Sequence, residues 1–397
     1  MGQPRVVPFA PLSPRPTGGP HVAWLRLSNF RCYEQAQLET DHRPVVLNGP
    51  NGAGKTNLLE ALSFLAPGRG LRQARLGDID RRGAGGAAAW AVAARLSGPE
   101  GDCDIGTGRD PVGDDSARER RLLRIDGAPH RGLAGLAERL SLLWLTPQMD
   151  GLFLESRSAR RRFLDRLVAC FDPSHASRLN AYEQASAERL RLLRSEGAPA
   201  ADPDWLGALE QQIAEHGIAL AAARLDLVAR LARVLAAANG VFPQPELAVT
   251  GEVEGWLGEM PALAAEDRLR RRLAEGRGLD AEAGRALVGA HRSDLYVRFA
   301  ATHIPAAECS TGEQKALLIA ILIGQARLMA AERGRGPMLL LDEVVAHLDE
   351  NRRRALFEVL LDLGVQAWLT GTERGLFAAL GEQAQFFSVA QARINRN

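Results

Sequence analysis

The chain has 397 residues, of which 46% are hydrophobic and 24% charged, so it has material for two or three domains with a sizeable core. Its 49 basic and 48 acidic side chains leave a formal net charge of +1, which excludes a polycation that binds nucleic acid by overall attraction. The four cysteines lie far apart, without C-x-x-C or zinc-type spacing, and predict free thiols in a reducing compartment.

Residues 1–21 are rich in proline and lack acidic side chains, which predicts a disordered leader. They contain no apolar stretch like that of a signal peptide, and the longest apolar runs of the chain are too short to cross a bilayer. The sequence therefore predicts a cytoplasmic protein without a membrane partner.

The first part of the chain predicts short strands around one helix. The helix is expected to begin at Lys55 and to end near Leu65, ahead of Pro67-Gly68. A stretch rich in glycine and aspartate, residues 98–115, predicts a loop. The predicted strands are residues 22–27, 33–38, 45–47, 90–96 and 120–125, the last closed by Asp126-Gly127.

From about Ser158 the spacing of apolar residues becomes helical. One helix is predicted to contain Tyr182, and residues 196–204 separate it from a long helix over residues 204–238, about 50 Å in length. A plain helical bundle and a protruding helical arm both fit this pattern. A strand is then expected at residues 295–299 and a helix from Ser310. The apolar stretches 338–341 and 366–370 are typical of buried parallel strands.

These elements predict an α/β fold in which two portions of one head flank a helical insertion. The head is expected to be a mixed sheet with flanking helices, and the insertion an α-helical arm domain. The predicted boundaries are 22–150 for the first head portion, 151–288 for the arm and 289–397 for the second head portion.

A glycine-rich loop between a predicted strand and a predicted helix carries the strongest chemical motif. It reads G-x-x-x-x-G-K-T, the P-loop pattern in which backbone N–H groups and a helix N-terminus bind phosphate. Lys55 is expected to bridge the β- and γ-phosphates of ATP, and the Thr56 hydroxyl to ligate Mg²⁺. The residues expected to contact the nucleotide are Gly49, Pro50, Asn51, Gly52, Ala53, Gly54, Lys55 and Thr56.

Two carboxylates follow the apolar stretch at residues 338–341. Asp342 is expected to hold Mg²⁺, and Glu343 to orient and deprotonate the attacking water. The chain has only two lysines, and the other 47 basic residues are arginine. Lys55 lies in the P-loop pattern, and Lys315 lies in a second nucleotide-handling motif at residues 310–315. A compact ammonium enters a phosphate loop where a wide guanidinium does not fit.

Ser310-Thr311-Gly312-Glu313-Gln314-Lys315 resembles the signature motif of ATP-binding-cassette ATPases. That resemblance implies that Ser310 faces the γ-phosphate on a second copy of the chain, so that an ATP-dependent homodimer holds two nucleotides. It also implies a D-loop residue in Asp349 and a Q-loop residue in Gln148 that binds nucleotide and metal. Thr370-Gly371-Thr372 stands where many members carry a switch histidine, which argues against fast turnover.

Four further elements resemble the RecF family of bacterial recombination-mediator ATPases, from about Val22 to the C-terminus. Residues 28–33 resemble its N-F-R-x-Y element, and residues 48–57 its N-G-x-N-G-x-G-K-T-N loop. Residues 161–165 resemble its R-R-x-F-L-D, and residues 289–295 its G-P-H-R-x-D-L with Ala290 in place of proline. Cys309 before the signature serine and Glu313 in place of a more usual glutamine are mild departures from the family pattern.

Membership would imply slow, DNA-stimulated ATP hydrolysis and ATP-driven dimerisation on double-stranded DNA or at junctions with single-stranded DNA. It would also imply RecR and RecO type mediators as partners, help in loading RecA at gaps, and support of replication forks and the SOS response.

Local arginine clusters are the candidates for contacts to DNA phosphates, because aromatic residues for base stacking are only 5% of the chain. The preferred cluster is Arg69, Arg72 and Arg75, since a loop leaving the nucleotide-binding helix can connect ATP to a DNA surface. Arg31 is expected near the base or ribose of the nucleotide. The other clusters are Arg118 with Arg120, Arg121 and Arg124; Arg157 with Arg160 to Arg162; and Arg268 with Arg270 to Arg272.

His291 and Arg292 fit either a link between arm and head or a buried histidine with satisfied hydrogen bonds.

Three other functions remain open at this stage. One is the nucleotide-binding subunit of a membrane transporter, which the long insertion opposes. A chromosome clamp of the SMC type would need a far longer coiled coil, and Glu343 argues against a scaffold that binds ATP without hydrolysing it.

Overall fold

The computed structural model describes residues 19–81, 89–110, 120–130, 132–194, 202–238 and 240–397. The leader predicted over residues 1–21 lies outside these ranges except for residues 19–21, and His21 already begins the first strand. The separator predicted over residues 196–204 lies mostly outside them as well. Strands and helices are numbered below in chain order.

The first sheet has six antiparallel strands in the order β2-β1-β4-β5-β6-β7. The strand predictions for this part of the chain are confirmed, with ends shifted by a few residues. The hairpin between the last two strands turns at Asp126-Gly127, which both have positive φ. The strands are β1 (His21–Phe30), β2 (Tyr33–Glu39), β4 (Ala91–Ser97), β5 (Cys103–Arg109), β6 (Arg121–Ile125) and β7 (Ala128–Pro129).

The loop predicted over residues 98–115 was wrong where β5 lies. Cys103, Ile105 and Thr107 are buried in strict alternation, while weak strand formers occupy the opposite face. One of these is required by packing, because a Cβ on Gly108 would lie 2.7 Å from the Trp90 carbonyl oxygen. Gly108, one of the glycines that made this stretch look like a loop, is therefore part of the packing of the strand. Residues 111–115 lie outside the described ranges.

The second sheet has the order β14-β13-β3-β12-β11-β8 and is parallel except for β14 at its edge. Its central strands are buried on both faces, which explains their uninterrupted apolar sequences. The sequence did not predict β8, β13 or β14. The strands are β3 (Val45–Asn48), β8 (Leu142–Leu145), β11 (Met338–Leu341), β12 (Ala367–Gly371), β13 (Gln385–Ala390) and β14 (Arg393–Arg396).

The carboxyl ends of the parallel strands β3, β12, β11 and β8 lie along one edge of this sheet. Such an edge is where open α/β sheets bind ligands. The glycine-rich loop follows β3, Thr370 lies at the end of β12, Asp342 follows β11 and Gln148 follows β8. The topology thus collects the predicted chemistry in one place.

Ten helices are described around these sheets. The helix predicted from Lys55, the long helix at residues 204–238 and the helix from Ser310 are confirmed. A third, two-stranded sheet pairs β9 (Pro245–Thr250) with β10 (Asp294–Phe299). The helices are α1 (Lys55–Ser63), α2 (Ala134–Arg139), α3 (Arg157–Ala169), α4 (His175–Leu193), α5 (Pro203–Ala236), α6 (Glu252–Glu259), α7 (Ala262–Glu275), α8 (Arg277–Ala283), α9 (Thr311–Arg333) and α10 (Glu350–Leu363).

The 34 residues of α5 make it about 50 Å long, and it belongs to two apolar cores. Its first half, including Ile213 and Ala221, packs with α4, α6 and α7. Its second half, including Leu227 and Leu235, joins the core around α9 and the parallel sheet. Because β9 also pairs with β10 beyond residue 288, the division at residues 151–288 stays a prediction, and α5 crosses between the two cores without a break.

α9 is the central helix of the head. By length and composition alone it could span a bilayer, but 83% of its apolar window is buried inside the protein. Both ends carry strong helix signals: Ser310 and Glu313 form a capping box, and Gly334 ends the helix with φ 69°. This burial is that of a core helix.

Candidate nucleotide-binding site

The glycine-rich loop between β3 and α1 requires glycine at two positions. Gly49 has φ 155°, and a Cβ there would lie 2.0 Å from the Val389 carbonyl oxygen of β13. Gly54 has φ 114°, and a Cβ there would lie 2.5 Å from Tyr33 Oη. α1 begins at Lys55 with no side-chain cap from the described residues and no acidic residue in its first turn. Its N-terminal N–H groups are thus arranged to bind an anion.

The Lys55 side chain is buried within this loop. Its ammonium donates to the carbonyl oxygen of Gly49 at 2.6 Å and to that of Pro50 at 2.9 Å. Burial lowers the pKa of Lys55, and the nearby carboxylates of Glu343 and Asp342 partly oppose this shift. The charge of Lys55 is therefore held where a phosphate inside the loop would meet it.

Asp342 connects the ends of three strands. It accepts hydrogen bonds from Thr56 Oγ1 at 3.0 and 3.1 Å and from Thr370 Oγ1 at 2.7 Å. Its backbone N–H donates to the Leu145 carbonyl oxygen of β8 at 2.9 Å. Burial raises the pKa of the Asp342 carboxyl, and the hydrogen bonds from Thr370 and Thr56 counter part of the shift. The carboxylate and the Thr56 hydroxyl are hard oxygen donors side by side, so they fit Mg²⁺.

Thr370 is a site residue that the sequence did not reveal as one. Its position had been notable only for lacking a histidine. Its hydroxyl donates to Asp342 and accepts a 2.9 Å hydrogen bond from the Glu343 backbone N–H. The signal that could have identified it is a hydroxyl residue at the carboxyl end of the strand next to β11.

Glu343 lies in the left-handed region, with φ 51°. This conformation costs a residue other than glycine about 1 kcal/mol or more, and such strain concentrates at functional sites. The hydrogen bond from its N–H to Thr370 holds the strained turn. The backbone therefore separates the two consecutive carboxylates, with Asp342 turned to Thr56.

The other predicted site residues lie further from the loop. Gln148 is exposed in the short 3-10 helix Pro147–Met149 at the end of β8. Ser310 is exposed as the N-cap of α9, and Asp349 is the exposed N-cap of α10, where it accepts from the Arg352 N–H at 2.9 Å. Among the described residues no hydrogen bond connects Ser310 to the glycine-rich loop. The roles of Gln148, Ser310 and Asp349 in binding the nucleotide stay predictions.

Arg31 and Arg72 share one buried carboxylate. Arg31 makes two hydrogen bonds to Glu60 of α1, at 2.9 and 2.7 Å, and a third to the Asp78 carbonyl oxygen at 2.6 Å. Arg72 reaches Glu60 at 3.1 Å and Asn57 at 2.9 Å. Arg31 is thus tied to the nucleotide-binding helix. Its contact with a base or ribose stays a prediction. The sequence contained one signal for this group, the lone acid Glu60 inside the apolar face of α1.

Comparison with known proteins places this geometry in a family. A profile of the RecF/RecN/SMC N terminal domain matches residues 21–395. A DNA replication and repair protein RecF from Rhizobium etli is 48% identical over 372 residues, which are 93% of this chain and 97% of that protein. The chain belongs to the RecF family. A second relative of that name, from Rhizobium meliloti, is 46% identical over 381 residues, 95% of this chain and 100% of the relative.

Solved structures agree on the fold. The recombination mediator protein RecF with ATP, of the RecFOR pathway, has a TM-score of 0.81 at 20% identity over 96% of this chain and 98% of that one. The Smc head domain of Pyrococcus furiosus has a TM-score of 0.52 at 14% identity, with 95% and 96% covered. The predicted RecF resemblance and the ATP-binding-cassette head fold are confirmed.

Two of the family elements meet where α3, α5 and β10 pack together, and not at the glycine-rich loop. Arg160 of α3 makes a two-pronged pair with Asp294, and Arg161 donates to the Ser293 carbonyl oxygen at 2.9 Å. Asp165, also on α3, pairs with the fully buried Arg224 of α5 at 2.8 and 2.9 Å. The two family elements, residues 161–165 and 289–295, therefore contribute to one buried polar junction between α3, α5 and β10.

His291 belongs to the same junction. Its Nδ1 lies 2.6 Å from Tyr182 Oη and its Nε2 2.9 Å from the Ala286 carbonyl oxygen. Burial lowers the pKa of His291, so the ring is neutral at neutral pH. Both ring nitrogens therefore have partners, as expected for an interior histidine with satisfied hydrogen bonds; a role of His291 in linking arm and head stays a prediction.

Lys315, the second lysine of the chain, pairs with a carboxylate. It is buried in the first turn of α9, and its ammonium lies 3.0 Å from Asp150 Oδ2. Asp150 follows Gln148 by two residues. The pair therefore connects the signature helix to the segment that carries the predicted Q-loop glutamine.

The structure shows which of the candidate DNA-binding arginines are exposed and which are held by other contacts. Arg121 is not available to DNA, since it donates to the carbonyl oxygens of Phe64, Ala66 and Gly68 behind α1. Arg69 and Arg75 are exposed on the loop after α1. Arg118 lies outside the described residues. Contacts of Arg69, Arg72 and Arg75 with DNA stay predictions.

Proposed function

We propose that the chain is an ATP-dependent DNA-binding protein of recombinational repair and replication-fork maintenance, in which ATP closes a homodimer on DNA and slow hydrolysis opens it. One observation carries the proposal. Lys55, Thr56, Asp342 and Glu343 lie together at one sheet edge, where they would form half of a nucleotide site, while the signature Ser310 is exposed elsewhere, at the start of α9. A second copy would supply the missing half.

ATP would lie with its phosphates on the loop from Gly49 to Thr56. Lys55 would exchange its bonds to loop carbonyls for phosphate oxygens, and Thr56 and Asp342 would hold Mg²⁺. When bound, the metal supplies charge neutralisation to the phosphates. Glu343 would accept a proton from the water whose oxygen attacks the γ-phosphorus, while the bond to the ADP oxygen breaks.

The likeness to a RecF relative of the RecFOR pathway supports further parts of the proposal. These are duplex and single-stranded DNA at gap junctions as the substrate, RecR and RecO type mediators as partners, and help in loading RecA and supporting the SOS response. The cytoplasm is the proposed location. Membership of a DNA repair family at 48% identity weighs against the transporter alternative.

Sedimentation with duplex DNA under ATP, ADP and no nucleotide tests the proposal. We expect the dimer and the DNA complex only with ATP. Ser310→Arg should keep nucleotide binding by the monomer but lose the ATP-induced dimer, because the signature half of the site is blocked. Normal ATP-induced dimers of this variant would refute the shared site.

A further inference from the structure

An arginine-lined cleft opens between the loop after α1, the end of β8 and the start of α3. Its volume is about 290 Å³. The charged residues that line it are Arg72, Glu155, Arg162 and Arg166, and three arginines against one glutamate leave a net charge of +2. Gln148 and Trp144 line the same cleft. We call it the arginine cleft.

Arg166 is a cation that pairs with no carboxylate in the part of the chain that the structure describes. Its guanidinium stacks 4.5 Å from the centre of the Trp144 ring and 5.4 Å from that of Phe163. Among the described residues its only hydrogen bond is a 3.6 Å contact from Nη2 to the weak acceptor Met149 Sδ, and its buried Nε has no partner. Burial lowers the pKa of Arg166 to about 10, so it remains charged at neutral pH. A buried charge left this way is costly unless a ligand compensates it.

Arg162 adds a second free guanidinium. It precedes Arg166 by four residues on α3, which places both side chains on one helix face. Arg162 is exposed, and no described residue makes a hydrogen bond or ion pair with it. Arg72, across the cleft, shares Glu60 with Arg31, so two guanidinium groups there have one carboxylate between them.

We propose that the arginine cleft binds a backbone phosphate of DNA, with Arg162 and Arg166 as its ligands and Arg72 on the opposite wall. This inference rests on the proposed function and deepens it. Guanidinium forks bind phosphate oxygens in pairs. The exposed Arg69 and Arg75, on the same loop as Arg72, extend the positive charge beyond the cleft, which suits a polyanion better than a single carboxylate.

The position of the cleft gives the contact a consequence for ATP. Gln148 lines the cleft, and Asp150, two residues on, pairs with Lys315 of the signature helix. A phosphate held by Arg162 and Arg166 would therefore lie against the segment between the metal-binding edge and α9. DNA binding would bear on the nucleotide site through this segment.

The test is fluorescence anisotropy of a labelled duplex with ATP and Mg²⁺, repeated over a range of salt concentrations. Arg162→Gln is the main variant because the side chain is exposed, and Arg166→Met is the second, checked for folding by thermal melting. Arg233→Gln, an exposed arginine of α5 that belongs to none of the candidate DNA-binding clusters, is the matched control. We expect Arg162→Gln to weaken DNA binding about tenfold and to reduce the slope of log K against log salt by about 0.9. The control should match the parent chain.

A fluorescent ATP analogue, measured in parallel, separates the outcomes. Wild-type chain that binds ATP but no DNA refutes the proposed function and the cleft together. If wild type binds DNA and Arg162→Gln binds it with unchanged affinity and slope, the cleft inference alone fails. Loss of ATP affinity with intact DNA binding would assign the cleft to a nucleotide phosphate and also overturn it. Inorganic phosphate at matched ionic strength should weaken DNA binding in the parent more than in Arg162→Gln; equal effects would contradict a phosphate site.

Discussion

The signature Ser310 hydroxyl donates a 2.7 Å hydrogen bond to Glu313 Oε2, and the Ser310 backbone N–H donates to the same oxygen at 2.9 Å. These bonds lower the pKa of the Glu313 carboxyl, so it is ionised at neutral pH. In the proposed dimer the same hydroxyl must face the γ-phosphate of a second copy. A carboxylate beside it would repel that phosphate and compete for its donor.

Glu313→Gln is therefore predicted to strengthen the ATP-induced dimer several-fold. Glutamine keeps the capping box at this helix start, so the stability of α9 should change little. Analytical ultracentrifugation at a series of protein concentrations with ATP measures the effect. Glu350→Gln, in the first turn of α10, is a control that removes an acid from another helix start. A weaker or unchanged dimer for Glu313→Gln would contradict the prediction.

Thr370→Val is predicted to slow ATP hydrolysis at least tenfold with little change in ATP affinity. The substitution keeps the shape but removes the hydroxyl that donates to Asp342 and accepts from the Glu343 N–H. The strained turn at Glu343 then loses its anchor, and we expect a loss of about 1–3 kcal/mol in the free energy of unfolding. Single-turnover hydrolysis and a chemical denaturation curve check the two effects. Full hydrolysis in Thr370→Val would show that this anchor is dispensable.

Asp342→Asn is predicted to stabilise the protein without nucleotide while abolishing its response to Mg²⁺. Burial raises the pKa of Asp342, so the folded state holds its proton more tightly than the unfolded chain. Stability then falls as pH rises from about 4 through the raised folded pKa, and the penalty is complete above it. Asparagine removes this penalty, on the order of 1 kcal/mol. Melting curves of parent and variant from pH 4 to 8 without nucleotide test the first part. Melting curves with ATP and Mg²⁺, with or without EDTA, test the second, and a variant that still responds to Mg²⁺ would contradict it.

The sequence predicted three neighbouring strands of the parallel sheet, β3, β12 and β11, and candidate residues at their carboxyl ends, because both leave local signals. The apolar residues 338–341 followed by Asp342, and a glycine loop ending in Lys55 and Thr56, can each be read within a few residues. Thr370 and Glu60 could not be assigned, since their roles arise from partners 28 residues away at Asp342 and 29 away at Arg31. Strand β5 was missed because its glycines imitate a loop, although one of them, Gly108, is required by packing against Trp90.

The buried His175 of α4 belongs to the polar junction between α3, α5 and β10, because its Nε2 lies 2.8 Å from Asp165 Oδ1. Asp165, His175 and Arg224 together give a stability prediction. Although burial opposes it, hydrogen bonding from His175 and the pairing with Arg224 hold the pKa of Asp165 below its usual value. Its contribution to stability is thus present above the unfolded value near 3.8 and is lost as pH falls through the folded pKa. Arg224→Met should cost about 3–5 kcal/mol, because it leaves a buried carboxylate without its main partner.

Restoring charge balance should recover part of that loss. In the double variant Asp165→Asn with Arg224→Met, no unpaired ion remains beside His175, so urea denaturation at pH 7 should show a smaller loss than Arg224→Met alone. Because α5 belongs to both apolar cores and carries Arg224, Arg224→Met should also lower ATP-induced dimerisation at temperatures where the chain is still folded. A double variant no more stable than Arg224→Met would mean that the junction acts by shape and not by charge.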